Sequence, residues 1–209
     1  MKELAEAIEN DSIVKVRALC KAGADLSAPI DAGLEYGLED PDNMPVLFYA
    51  IRKYASIELI EVLLEYGCDI REIDEDGLSA IDIAIKFKRE DVVKFCVEKK
   101  GMSVNETHRP SGITPIVLSA CFNNPSMVEL LISYGAELNS KDKNGMSAKD
   151  YAKKLGQKKM VAFLHERGAK HSRYPEENIT SSATVVNSNP QGDMKNRKAP
   201  TEDMGFDSI

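Results

Sequence analysis

The sequence predicts an all-α fold, a solenoid of about five helix-turn-helix units joined by projecting β-hairpin loops. Two landmarks recur along the 209 residues with nearly the same period. Glycines at 67, 101, 135 and 168 are separated by 34, 34 and 33 residues. A second phrase begins at Met44, Ser79, Thr114 and Ser147, in steps of 35, 35 and 33. A period in this range is typical of stacked helical repeats.

Each unit is predicted to contain two short helices, as residues 79–100 illustrate. Ser79 is a suitable N-cap, because its hydroxyl can accept a hydrogen bond from a free backbone N–H of the first turn. Apolar residues then recur at helical spacing, charged residues mark a turn, and a second apolar stripe runs from Val92 to Val97. Gly101 suits the position after the helix, where a left-handed backbone closes the last turn. A helix pair this short cannot bury its own apolar face, so the units are expected to stack.

The connectors between units are polar and rich in turn-forming residues. Asp76-Gly77 and Asn144-Gly145 are preferred central dipeptides of tight hairpin turns, so each connector is predicted to be a projecting hairpin. The first connector carries an insertion, roughly residues 27–43. Insertions in repeat proteins map to loops on one face, often the binding face.

At this point the sequence resembles the ankyrin repeat family. The resemblance is carried by Gly112-Ile113-Thr114-Pro115-Ile116 and by a second helix with Leu130-Leu131 that is followed by Gly135-Ala136-Glu137. It covers residues 2 to about 170 and implies the family's fold and its use as a binding scaffold. The histidine of the family motif is replaced throughout, by Leu47, Asp82, Val117 and Asp150. Because that histidine serves hairpin hydrogen bonding in the family, its loss implies a local difference in stability and no change of fold.

The chain is predicted to divide into a repeat domain, residues 1–170, and a flexible C-terminal tail, residues 171–209. In the first unit, apolar Leu4, Ala7 and Ile8 are spaced to face inward, which suits an N-terminal cap. The lysine-rich last unit suits a C-terminal cap, whose outer face must be soluble. From residue 171 onward the apolar periodicity disappears, and the Ser-, Thr-, Asn- and Pro-rich composition predicts disorder.

By the resemblance, two apolar series belong to the surface that ankyrin proteins use for partners. The first precedes the first helix of each of the last three units: Leu78, Ile113 and Met146. The second ends those helices near the concave side: Phe87, Phe122 and Leu155. Covered by a partner, each large side chain would contribute roughly 1.5–3 kcal/mol. The alternative is that they pack against the adjacent hairpin or helix and meet no partner.

Charge is segregated along the chain. Residues 22–51 contain six acids and no Lys or Arg, whereas residues 143–170 contain eight basic residues and two acids. The acids assigned to the candidate site are Asp31, Glu35, Glu39, Asp40 and Asp42. They predict a partner with a basic patch, since complementary fields steer association. The alternative is ordinary solubilising charge.

Composition argues against several classes of function. The net charge of −7 argues against nucleic-acid binding, and the absence of a long apolar run argues against a membrane-spanning helix. No apolar signal segment begins the sequence, so a cytoplasmic location is expected. Neither the histidines nor the four cysteines have the spacing of a metal site, and no cofactor motif occurs.

The function predicted is a non-enzymatic module that binds another protein. Two more specific functions stay open. One is an inhibitor or immunity-type protein that blocks one enzyme or toxin. The other is an adaptor or regulatory subunit whose tail recruits a second partner. An enzyme is the least favoured class, because no catalytic constellation is present.

Overall fold

Five helix pairs make up the repeat domain in the computed structural model, which describes residues 1–31 and 43–174. The first helices of the pairs are α1 (Lys2–Glu9), α3 (Val46–Arg52), α5 (Ala80–Lys86), α7 (Pro115–Cys121) and α9 (Ala148–Lys154). The second helices are α2 (Ile13–Lys21), α4 (Ile57–Glu65), α6 (Glu90–Lys94, continued by a π-helical turn Phe95–Lys99), α8 (Pro125–Ser133) and α10 (Lys158–Glu166). The predicted all-α solenoid of five units is confirmed.

The first helices of the last four units stack side by side and are largely buried. α3 packs against α5, α5 against α7, and α7 against α9, and each also packs against the second helix of its own unit. All seven residues of α7 are buried, as are six of the seven in α3 and in α5. Because a seven-residue helix is marginal in water, the stack supplies the stability that each helix lacks alone.

Serine N-caps set the start of α5 and α9. Ser79 Oγ accepts the Asp82 N–H, and Ser147 Oγ accepts the Asp150 N–H, each at 3.3 Å. The two carboxylates accept the serine N–H groups in return, at 2.9 and 3.0 Å. These are capping boxes with aspartate in the usual glutamate position. The predicted cap at Ser79 is confirmed, and two residues that replace the family's histidine complete the caps.

In the second unit, the first helix begins one residue later than the spacing of the repeats predicts. Pro45 is the N-cap of α3, as Ser79 is the N-cap of α5. Phe48, and not Leu47, therefore occupies the position equivalent to Asp82. The turn between α3 and α4 also differs, since it holds four residues, whereas the turn between α5 and α6 holds three.

The turns between units end on a glycine. The Gly77 N–H donates to the Asp74 carbonyl at 3.0 Å, and the Gly145 N–H donates to the Asp142 carbonyl at 3.0 Å. The glycines have φ of 77° and 74°, while the residues before them have no positive φ. A two-residue type I′ turn needs positive φ at both central residues, so these are type I turns followed by a left-handed glycine. The prediction that the glycines are central turn residues is wrong.

A two-residue antiparallel pair closes the insertion in the first connector. β1 (Ile30–Asp31) pairs with β2 (Asn43–Met44), with Ile30 opposite Met44 and Asp31 opposite Asn43. The structure therefore brings the two ends of the insertion together. Residues 32–42 lie outside the described residues, and with them Glu35, Glu39, Asp40 and Asp42.

Contacts with the last unit continue past residue 170. His171 Nδ1 lies 2.9 Å from Asp150 Oδ1, and the N–H groups of Ser172 and Arg173 donate to Asp150 Oδ2 at 2.9 and 3.1 Å. We therefore take the repeat domain to extend through Tyr174. The remainder of the predicted tail, residues 175–209, lies outside the described residues.

Candidate partner-binding surface

Three apolar side chains lie at the C-terminal ends of the first helices, and we call them the turn row: Phe87, Phe122 and Leu155. Each is the C-cap residue of its helix, and each is half-buried. Because consecutive first helices pack side by side, equivalent positions follow one another at intervals of about 10 Å. The turn row therefore runs along one edge of the stack.

Two cations lie close to the ring of Phe87. The Arg52 guanidinium and the Lys86 Nζ are each 5.9 Å from the centroid of its ring, within cation–π range. The Tyr54 hydroxyl donates to the Phe87 carbonyl at 2.9 Å, and Tyr54 is 63% exposed. The sequence pattern did not indicate Tyr54. The turn that contains it is one residue longer than the turns between the other paired helices, so it does not follow the repeat spacing.

Side chains at the start of the second helices tie neighbouring turns together. Arg89 is 5% exposed and donates to the carbonyls of Ile51 and Ala55, at 3.2 and 2.7 Å, in the preceding unit. Gln157 donates from Nε2 to the Cys121 carbonyl at 2.8 Å. These bonds join the turns of the second and third units and those of the fourth and fifth units.

The second predicted series directly precedes the N-caps, and we call it the hairpin row: Leu78, Ile113 and Met146. In two of the three members, the backbone N–H donates to an aspartate that lies four residues earlier in the sequence. Asp74 Oδ1 accepts the Leu78 N–H at 2.7 Å, and Asp142 Oδ1 accepts the Met146 N–H at 2.7 Å. Both of these apolar side chains are half-buried.

Ile113 departs from its two counterparts. It is 2% exposed and belongs to the core. Arg109 stands where the other connectors have Asp74 or Asp142, and a guanidinium cannot accept the Ile113 N–H. That N–H instead donates to Ser111 Oγ at 3.4 Å. We therefore correct the sequence expectation and leave Ile113 out of the candidate surface.

Asp31 is the only acid of the predicted site that falls among the described residues. It lies in β1 and is half-buried. It marks where the insertion leaves the repeat domain, at the connector between the first two units. It is thus placed at the N-terminal end of the stack, while both apolar rows belong to the last three units.

The two capping aspartates differ in electrostatics. Burial raises the pKa of Asp82, and its Oδ1 has no hydrogen-bond partner among the described residues. Burial also opposes ionisation of Asp150, but hydrogen bonds from the backbone of Ser147 and Ser172 and from His171 outweigh it. They lower the Asp150 pKa to about 2. The last unit therefore holds a buried, fully engaged carboxylate.

No cysteine among the described residues is set up as a nucleophile. All four are free thiols, and Cys20, Cys96 and Cys121 are buried. Burial raises the pKa of Cys68, Cys96 and Cys121 to about 12. A reactive thiolate needs the opposite shift. The buried cysteines therefore act as small apolar residues.

The described residues also contain no group of three or more His, Cys, Asp and Glu side chains arranged to hold a metal ion. Within residues 1–31 and 43–174, no helix is long and apolar enough to cross a membrane. The described residues therefore offer surfaces for contact and no assembled metal centre.

Comparison with known proteins identifies the repeats. A family model described as "Ankyrin repeats (3 copies)" matches residues 4–108 and 100–174. The chain is similar to the E3 ubiquitin-protein ligase Ufd4 of Drosophila melanogaster, at 28% identity over 125 residues. It is also similar to human ARF GTPase-activating protein GIT1, at 31% identity over 98 residues. An ankyrin repeat-containing protein of Treponema pallidum matches at 29% identity over 125 residues.

These matches cover part of each protein. They span 58%, 44% and 59% of this chain, and 4%, 13% and 41% of Ufd4, GIT1 and the Treponema protein. The ligase and GTPase-activating functions in these names are therefore those of much longer or different proteins. Of these three relatives, the Treponema protein is itself described as containing ankyrin repeats. The matched family model and the five helix pairs show that the chain belongs to the ankyrin repeat family, whose members are typically non-enzymatic and whose repeats are general protein-interaction modules.

Proposed function

We propose that this chain is a non-enzymatic, cytoplasmic module that binds another protein through the concave side and the hairpin tips of its repeats. The turn row and the half-buried members of the hairpin row, Leu78 and Met146, supply the apolar contacts. The acidic insertion that begins at Asp31 meets a basic patch on the partner.

One observation carries the proposal. Five large apolar side chains remain half-buried at the two ends of the first helices of the last three units, which are otherwise largely buried. A partner that covered this remaining exposed apolar surface would remove it from water, which favours association. Aromatic anchors such as Phe87 and Phe122 are typical of interface centres.

A double substitution tests the proposal. Phe87→Ala with Phe122→Ala should abolish capture of the partner from a lysate of the source cells, as followed by quantitative mass spectrometry. It should leave the far-UV circular dichroism melt nearly unchanged, because both rings are only half-buried. A large fall in melting temperature would assign the rings to the core and contradict the proposal.

A matched variant controls for the general loss of apolar surface. Leu64→Ala with Leu130→Ala removes two half-buried leucines from the second helices, away from both rows. It should retain capture of every protein that the unsubstituted chain captures. If the two double variants lose the same proteins, the turn row is not the binding site.

A further inference from the structure

The edge of the stack that carries the turn row is strongly basic in an acidic protein. Residues 86–88 and 153–159 contain six lysines and no acid, and residues 121–123 between them carry no charge, although the whole chain has a net charge of −7. We call these three segments the basic edge. Its exposed lysines are Lys86, Lys88, Lys154, Lys158 and Lys159. Among the described residues, none of these five forms an ion pair.

Acids near this edge are few. Asp91 is bound by Arg89 through a 2.6 Å ion pair, and hydrogen bonding to Arg89 lowers its pKa. Glu58 and Glu90 lie at the start of α4 and α6. The last unit, which has the densest lysines, has no acid in the first turn of its second helix. The positive charge of this edge is therefore concentrated in the last unit.

Two of the lysines stand where they oppose folding. Lys158 and Lys159 are the first two residues of α10, and its N-cap Gln157 makes no side-chain capping bond. The N-terminal end of a helix favours acids, and a like charge there costs about 0.3–1 kcal/mol. Residues that disfavour their local secondary structure without a compensating contact are expected at functional surfaces. Folding therefore does not account for this pair.

The geometry of the edge fits an extended peptide. Successive units present equivalent positions about 10 Å apart. A polyproline II segment advances about 9.3 Å in three residues and returns to the same face. The lysines lie in the third and fifth units, about 20 Å apart, so acids six residues apart in a polyproline II peptide would reach both groups. Its other residues would lie over the turn row.

A membrane surface fits less well. Anchoring side chains that insert among lipids stand out from the surface. Phe87, Phe122 and Leu155 are instead half-buried at helix ends. The apolar part of this edge is a shallow lining and not a set of projecting anchors.

We propose that the basic edge binds an acidic, aromatic-containing peptide segment of a partner protein in an extended conformation. This inference deepens the proposed function and rests on it, because it names the chemistry of the partner at the turn row. Electrostatic attraction speeds the encounter, and the half-buried apolar side chains hold the bound segment. Binding is therefore sensitive to salt.

A designed peptide tests the inference with the full chain. The probe is a fluorescein-labelled peptide of four Glu-Phe-Ser triplets, and fluorescence anisotropy measures its affinity. Lys158→Glu with Lys159→Glu should weaken binding by about tenfold or more while the melting temperature rises. A loss of affinity together with a rise in melting temperature distinguishes a binding defect from a folding defect.

Two controls make the result specific. Lys21→Glu with Lys94→Glu changes the net charge equally on exposed residues of α2 and α6, and binding should change by less than about threefold. A peptide of the same composition with its glutamates contiguous should bind several times more weakly. Equal weakening by both double variants would overturn the inference, since it would indicate unspecific attraction.

Two further outcomes would also overturn it. One is the absence of probe binding to the unsubstituted chain. The other is binding to phosphatidylserine vesicles without binding to the peptide, which would assign the edge to a membrane surface. If the probe fails but protein capture still depends on Phe87 and Phe122, the proposed function stands and only the inference about an acidic segment fails.

Discussion

His171 and Asp150 form a buried pair that closes the last repeat, with His171 Nδ1 2.9 Å from Asp150 Oδ1 and both side chains almost completely inaccessible. Two repeats earlier, the equivalent Oδ1 of Asp82 is buried with no partner among the described residues. Both aspartates complete the same capping box, so the difference arises from the segment that packs over each. The chain beyond Lys170 thus completes the cap of α9.

The ionised state of Asp150 should contribute to stability. Its folded pKa of about 2 lies below the ordinary value of 3.8. The stabilisation is therefore fully present above about pH 4 and is lost as the pH falls toward 2. Asp150→Asn should lower the free energy of unfolding by about 2 kcal/mol at pH 7. Urea denaturation between pH 7 and pH 2 should show that difference shrinking across this window.

Asp82→Asn is the matched variant for this experiment. Burial raises the pKa of Asp82, so its charged form is penalised in the fold above the ordinary pKa. Asparagine keeps an oxygen that can accept the Ser79 N–H and removes the buried charge. The free energy of unfolding at pH 7 should therefore not fall. A loss as large as that of Asp150→Asn would contradict the distinction between the two caps.

A glycine substitution in one of the turns between paired helices should stabilise the protein. Lys88 has φ of 57°, and Gly156 occupies the equivalent turn position in the last unit with φ of 69°. A left-handed conformation is costly for a residue with a Cβ, although glycine loses more backbone freedom on folding. Lys88→Gly should therefore raise the free energy of unfolding by roughly 0.5–1 kcal/mol. Thermal denaturation of Lys88→Gly beside Gly156→Ala measures this, and the second variant should be less stable. A gain from Gly156→Ala would refute the argument.

Arg89 should be among the most sensitive polar residues of the repeat domain. Its guanidinium satisfies the carbonyls of Ile51 and Ala55 in a buried position. Arg89→Met keeps much of the volume but leaves both carbonyls without that donor, so the free energy of unfolding should fall by about 2–4 kcal/mol. Gln157→Met removes one such bond and should cost about 1 kcal/mol. Chemical denaturation compares them, and equal losses would show that these bonds do not set the stability.

The hairpin row predicts two classes of response to alanine. Ile113→Ala should lower the free energy of unfolding by about 2–4 kcal/mol, because it empties a core position. Met146→Ala should cost clearly less, because Met146 is half-buried. Urea denaturation of the two variants side by side tests the placement. A small effect of Ile113→Ala would return Ile113 to the candidate surface.

The sequence predicted much of the local structure correctly. The repeat period, the helix pairs and the Ser79 cap follow from short-range patterns, in which each residue acts on neighbours within one or two turns. The glycine turns were predicted in the right places but with the wrong geometry. A dipeptide preference could not tell a central glycine from one that follows a type I turn.

The candidate surface was less predictable. Ile113 shares its place in the repeat with Leu78 and Met146, and the sequence treats the three alike. In its connector Arg109 replaces the aspartate that accepts the N–H of the other two, and the Ile113 N–H bonds to Ser111 Oγ instead. Its consequence appears only once the hydrogen bonds of the connector are known. Tyr54 was not predicted, because an extra residue in its turn moves it out of register with the equivalent positions of the other units.

The sequence by itself determined the repeat, the number of units, the helical class and the segregation of charge. These properties depend on periodicity and composition, which can be read directly from the sequence. Only the tertiary structure decided which apolar residues stay half-buried and which lysines share one edge. It also decided which of two capping aspartates, Asp82 or Asp150, is fully satisfied. Those outcomes depend on what the neighbouring unit places over each residue, and stacking brings together groups that the sequence keeps a whole repeat apart.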